Sequence, residues 1–63
     1  MAEREVYFEF TAIGQTVKVV AIDSVTAIEV SVMGPASASQ ADMKRLALNK
    51  LKARLAREEG KNP

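Results

Sequence analysis

The chain has no cysteine and no histidine. Disulfides, thiolate or imidazole metal sites, thiol nucleophiles and Ser-His-Asp arrangements are therefore excluded. No apolar run approaches the ~20 residues of a membrane-spanning helix, and Met1-Ala2-Glu3-Arg4-Glu5 is acidic and polar, unlike a secretory signal. Gly14, Gly34 and Gly60 are isolated, so no glycine-rich phosphate loop is present. These absences lead to the expectation of a cytoplasmic, non-enzymatic protein without a cofactor and without a membrane contact. At 63 residues the sequence fits one domain, 1–63. A core of this size supplies only ~3–5 kcal/mol, and covalent staples are missing. Self-association is the remaining source of stability, so a homodimer is expected.

What the chain does have is a change of hydrophobic period at Gly34-Pro35. Before it, apolar and polar residues alternate as in strands; after it, apolar residues recur every three to four positions as in a helix. The alternation predicts strands over about 5–13, 16–22 and 27–33. Val6, Phe8, Phe10 and Ala12 share one face of the first. Gly14-Gln15 reads as a two-residue turn of type II′, with glycine first. That turn sets Ala12 against Val17, Phe10 against Val19 and Phe8 against Ala21, all apolar and all on one face. The second turn begins at Asp23-Ser24 and reaches Ala27 in its longer form. In its shorter form Lys18 faces Glu29 as a cross-strand ion pair. Gly34-Pro35 is expected to end the sheet.

Ser39 is the favoured N-cap of a helix over about 40–59, with Asp42 three residues on. Gly60 is the expected residue just past its end, with 60–63 as a tail. A helical projection groups Ala47, Leu48, Leu51 and Leu55 on the sheet side and sends Met43, Leu46 and Ala53 to the far side. Lys44 intrudes on the inner face and has to extend its charge outwards. The predicted fold is α+β: a three-stranded antiparallel β-meander with one C-terminal α-helix packed on one face. The expected core is Phe8, Phe10, Val17, Val19, Ile28, Val30, Leu48, Leu51 and Leu55.

Three groups of residues are candidates for function. Glu5 and Glu9 share a strand face near Glu29, a pattern that could in principle hold a cation or transfer protons, but the expected reading is a solvated sheet surface with no catalytic or metal site. Tyr7, Val20 and Ile22 on the outer sheet, with Met43, Leu46 and Ala53 on the outer helix, form a candidate interaction surface for a second copy or an unidentified protein. The third group is electrostatic. Residues 1–33 set Arg4 and Lys18 against Glu3, Glu5, Glu9, Asp23 and Glu29. Residues 34–63 set Lys44, Arg45, Lys50, Lys52, Arg54, Arg57 and Lys61 against Asp42, Glu58 and Glu59. The first half is acidic and the second basic. In the alternative reading the chain is a nucleic-acid-binding module, with Arg45, Lys50, Lys52, Arg54 and Arg57 contacting phosphates. Salt separates the readings: phosphate binding weakens steeply with salt, apolar association does not.

Strands followed by a Ser39-led basic helix resemble the C-terminal half of double-stranded-RNA-binding domains, with Ser39, Lys44, Ala47 and Leu55 near positions that such helices use. That resemblance implies phosphate contacts, but the family's lysine pair falls at Gln40 and Ala41, and its N-terminal helix has no counterpart. Three-stranded DNA-binding sheets of plant transcription factors and integrases are similar in layout; their sheets carry Arg and aromatic residues where this one carries Glu5, Glu9 and Glu29. From Ile22-Asp23 through Glu29-Val30 to Gly34-Pro35-Ala36-Ser37, the chain is similar to short bacterial proteins known as a domain of unknown function. This last resemblance implies the β-β-β-α layout and no particular activity.

Overall fold

The computed structural model describes residues 4–60. Three strands, β1 (Val6–Ile13), β2 (Thr16–Asp23) and β3 (Glu29–Pro35), form an antiparallel sheet in the order β1-β2-β3. One helix, α1 (Gln40–Gly60), packs against it. The α+β meander expected from the pattern is the observed architecture. The proposed tail at 61–63 lies outside the described residues.

The first hairpin has the register its turn chemistry requires: Ala12 faces Val17, Phe10 faces Val19 and Phe8 faces Ala21. Gly14 sits at φ +59 and Gln15 has no positive φ, as a type II′ turn demands. The Thr16 hydroxyl donates to the Ile13 carbonyl at 2.7 Å and closes the turn.

The second turn takes the longer form. Asp23 N–H bonds Ile28 O and Ala27 N–H bonds Asp23 O, both at 2.9 Å. Ala27 adopts φ 63, a left-handed conformation that alanine rarely takes, and so belongs to the loop and not to β3. This loop moves the register: Lys18 faces Met33 and Glu29 faces Ile22, so the Lys18–Glu29 pair does not form. The sheet also continues past the point where it was expected to stop. Gly34 pairs with Val17 and Pro35 with Thr16. Proline is tolerated there because β3 is an edge strand.

Asp23 is the one fully buried charged side chain among the described residues, at the end of the inner sheet face. Its Oδ2 accepts from the Thr26 N–H at 2.9 Å and the Thr26 hydroxyl at 2.8 Å. Its Oδ1 lies 3.0 Å from Arg4 Nε without an aligned hydrogen bond. Burial alone raises the carboxyl's pKa. The Thr26 hydroxyl and N–H, the Arg4 guanidinium and the Val25 N–H outweigh it and hold the pKa below its ordinary value. The same loop fastens the residues before β1: Ser24 N–H donates to Glu5 O, and Glu5 N–H to Ser24 Oγ, each at 2.9 Å.

The buried core is Val19, Ala21, Val30, Met43, Ala47, Leu51 and Leu55. Two helix expectations need correcting. Met43 is only 2% exposed and belongs to the core, not to the outer face, while Leu48 lies half-buried on the helix flank. The cause is the i, i+4 row Met43-Ala47-Leu51-Leu55, which runs obliquely to the helix axis and forms the contact line. Its first member closes on Gly34, where an added Cβ would come within 2.7 Å of Met43 Sδ. The N-cap is as expected: Ser39 Oγ accepts from Asp42 N–H at 3.1 Å. The Asp42 carboxylate turns instead to Arg45 at 2.8 Å. Gly60 lies within α1 and is not the first residue beyond it.

Candidate interaction surfaces

The sheet has two faces, and α1 covers part of one. Its contacts fall mainly on β2 and β3. Rows across the inner face read Phe8-Ala21-Val30, Phe10-Val19-Val32 and Ala12-Val17-Gly34. In each row the β1 member is the less covered one next to β2: Phe8 and Phe10 are half-buried and Ala12 is exposed, whereas Val19 and Ala21 are closed off. An open groove of about 280 Å³ lies there, lined by Phe10, Ala12, Val17, Ala36, Ala38 and Met43, among others. Lys44 extends along the same side and places Nζ 5.5 Å from the centre of the Phe8 ring, so its charge rests on an aromatic face.

The outer face has no second layer. Tyr7 faces Ile22, and Val20 stands one row along opposite Glu9. The structure thus brings Tyr7, Val20 and Ile22 together, with Tyr7 exposed and the other two half-buried on the central strand. Sequence reasoning missed two further exposed apolar residues of the outer face, Met33 at 56% exposure and, at the turn end of β1, Ile13 at 51%. The alternation of β1 carries the signal for Ile13, which shares the parity of Tyr7. Met33 is likewise outward by alternation with Val30 and Val32, and the longer loop sets it opposite Lys18. The Tyr7 hydroxyl donates to Glu5 Oε2 at 2.9 Å, and this bond, with the negative charge of Glu5, raises the phenol's pKa.

The helix candidates divide. Leu46 is 55% exposed and Ala53 is exposed, on the side of α1 away from the sheet, while Met43 is inside. Leu46 and Ala53 therefore do not join Tyr7, Val20 and Ile22 in one surface. The acidic group also separates. Glu9 lies opposite Val20 and Glu29 opposite Ile22, so the central strand divides them, and no group able to hold a metal occurs among the described residues.

The basic helix is partly engaged. Arg45 pairs with Asp42 at 2.8 Å, and Arg54 pairs with Glu58 at 3.2 Å. Lys50 Nζ donates to the Ser31 carbonyl of β3 at 2.8 Å. Lys52 and Arg57 are exposed on the same helix. Of the five candidate phosphate contacts, three already have protein partners.

No α-helix among the described residues is long and apolar enough to cross a membrane. No curated protein and no solved structure matches the chain. One family profile does, described as a domain of unknown function, DUF6898, and it matches residues 3–58. With that span and a β-β-β-α layout, the chain belongs to the DUF6898 family.

Proposed function

We propose that this chain is a small non-enzymatic interaction module that self-associates and presents a surface to a further protein partner. The observation that carries the reading is the partial cover of the sheet: α1 packs on β2 and β3 and leaves the phenyl groups of β1 half-exposed. Burying apolar area is worth ~25 cal/mol per Å², and in a domain with so small a core the half-covered strand, with Tyr7 and Ile13 exposed on its other face, offers apolar area still to be buried. The engagement of Arg45, Lys50 and Arg54 by Asp42, Ser31 and Glu58 argues against phosphate binding as the main role. A cytoplasmic location goes with this reading, since a chain without cysteine gains nothing from an oxidising compartment.

Solution mass, measured by sedimentation from low to high micromolar concentration at two salt concentrations, tests it. The expected result is a rise from the 6.8 kDa monomer towards twice that mass, insensitive to salt. A monomer throughout, with an unchanged spectrum on dilution, refutes the proposal.

A further inference from the structure

We propose that two copies join through β1, edge to edge and antiparallel, with a two-fold axis at Phe10, to make one continuous six-stranded sheet. The proposal rests on the self-association argued above and names its partner surface.

The two edges of the sheet are not alike. In an antiparallel pair alternate residues bond across, and the rest point their N–H and C=O outwards. Ser24 N–H bonds Glu5 O, so the alternate residues Glu5, Tyr7, Glu9, Thr11 and Ile13 face β2. The backbone groups of Val6, Phe8, Phe10 and Ala12 then point away from it. On β3, the Asp23–Ile28 bond fixes Glu29, Ser31, Met33 and Pro35 as the outward residues. That edge is blunted: Lys50 occupies the Ser31 carbonyl, and Pro35 has no N–H to offer. Strand β1 has eight residues with no proline and no lysine, and its register with β2 runs unbroken from Val6 to Ile13. It is the edge left open to another strand.

Self-pairing of β1 must keep inner residues on the inner face, which restricts the axis to a residue of the strand. Centred on Glu9, the pairing sets two carboxylates directly opposite each other, a destabilising arrangement. Centred on Phe8, it sets Tyr7 against Glu9 and leaves Ile13 without a partner. Centred on Phe10, it sets Tyr7 against Ile13, Glu9 against Thr11, Phe8 against Ala12 and Phe10 against its own copy. Only this last register matches apolar with apolar on both faces. It also covers Tyr7 and Ile13, two of the large exposed apolar side chains, and places each Phe8 ring over the small Ala12 that borders the groove. The four phenyl rings become one strip on the face where both helices lie. With only eight residues of each edge in play, the contact is smaller than a standard interface of about 20–30 residues a side, so the dimer dissociates in the micromolar range.

Disulfide trapping in the full chain tests the register. Glu9 and Thr11 are exposed, and the Phe10-centred register makes them closely spaced, non-hydrogen-bonded partners across the axis, within disulfide reach. Under mild oxidation Glu9→Cys/Thr11→Cys should form covalent dimer at least about tenfold faster than either single variant. Efficient trapping by Glu9→Cys alone would place the axis at Glu9 and overturn the register. A dimer by mass that the double variant does not trap overturns the β1 contact while leaving self-association standing; a monomer at every concentration removes both. Ala12→Pro is the second test, because its lost N–H points away from β2. It should keep the circular dichroism of the fold and weaken the dimer at least about tenfold. An unweakened dimer overturns the proposal.

Discussion

Truncating Met43 tests how the helix sits. Met43→Ala removes Cγ, Sδ and Cε from a side chain that is 2% exposed. At about 0.8 kcal/mol per buried methylene-sized group, the transfer loss is about 2–2.5 kcal/mol. A cavity adds to this, but the site borders the open groove beside Phe10 and Val17 and can relax. The expected cost is therefore about 2–3 kcal/mol, near the low end for such truncations. The ratio of folded to unfolded chain falls about 30- to 160-fold, in a domain that holds only ~3–5 kcal/mol. Urea titration followed by helical circular dichroism, at a concentration too low for association to add stability, reads the change. With m about 1 kcal/mol/M, the midpoint moves down by about 2–3 M. Leu46→Ala, three residues along and exposed, should cost less than about 0.5 kcal/mol. Gly34 supplies a further check. Its added Cβ meets Met43 Sδ in the wild type but finds vacated space in Met43→Ala, so Gly34→Ala in that background should recover about 0.5–1 kcal/mol. If Met43→Ala stays within about 0.5 kcal/mol of wild type, or Leu46→Ala matches it, the helix presents a different face to the sheet.

Ala27→Gly should stabilise the protein by about 1 kcal/mol, because glycine removes the penalty of φ 63 at an exposed position; an equal loss in a urea melt would refute this. Asp23 gives stability a defined acid limb. Its pKa is lowered on folding, so its contribution is complete above the ordinary carboxylate pKa near 4 and is lost as pH falls through the lower folded value. The stability difference between wild type and Asp23→Asn should shrink below about pH 4, and a difference constant from pH 7 to 2 would contradict the burial of an ionised carboxylate.

Legibility in the sequence followed the range of the interactions. The first hairpin was readable because Gly14-Gln15 and the apolar alternation of β1 and β2 specify the same register independently. The second hairpin was not. Its loop is fixed by the Asp23 carboxylate capping Thr26 and by an alanine in a left-handed conformation, neither of which residue type alone announces. The displaced register then set Met33 opposite Lys18 and brought Gly34 and Pro35 into the ladder. The inward row of the helix was half readable. Ala47, Leu51 and Leu55 follow from spacing, but the choice between Met43 and Leu48 depends on the angle at which α1 crosses the strands, set by the missing side chain at Gly34. On the outer sheet, Tyr7, Val20 and Ile22 were found because alternation alone places them. The fate of the helix cations depended on acceptors distant in sequence, such as Ser31 for Lys50.

Among the described residues, every buried apolar side chain belongs to β2, β3 or α1, and none to β1. The chain is therefore a β-β-α unit to which one more strand is attached by the ladder, the half-covered phenyl rings and the tether at Glu5 and Ser24. Such a strand can open while the rest stays folded. The amides of Tyr7, Glu9, Thr11 and Ile13 should exchange hydrogen through a low-energy partial opening, and those of Val19 and Ala21 only with global unfolding. In an isolated monomer β1 is the least secured element of the sheet. Beside a second β1 it becomes an interior strand, and its exchange should slow with protein concentration while that of the core stays level with overall stability.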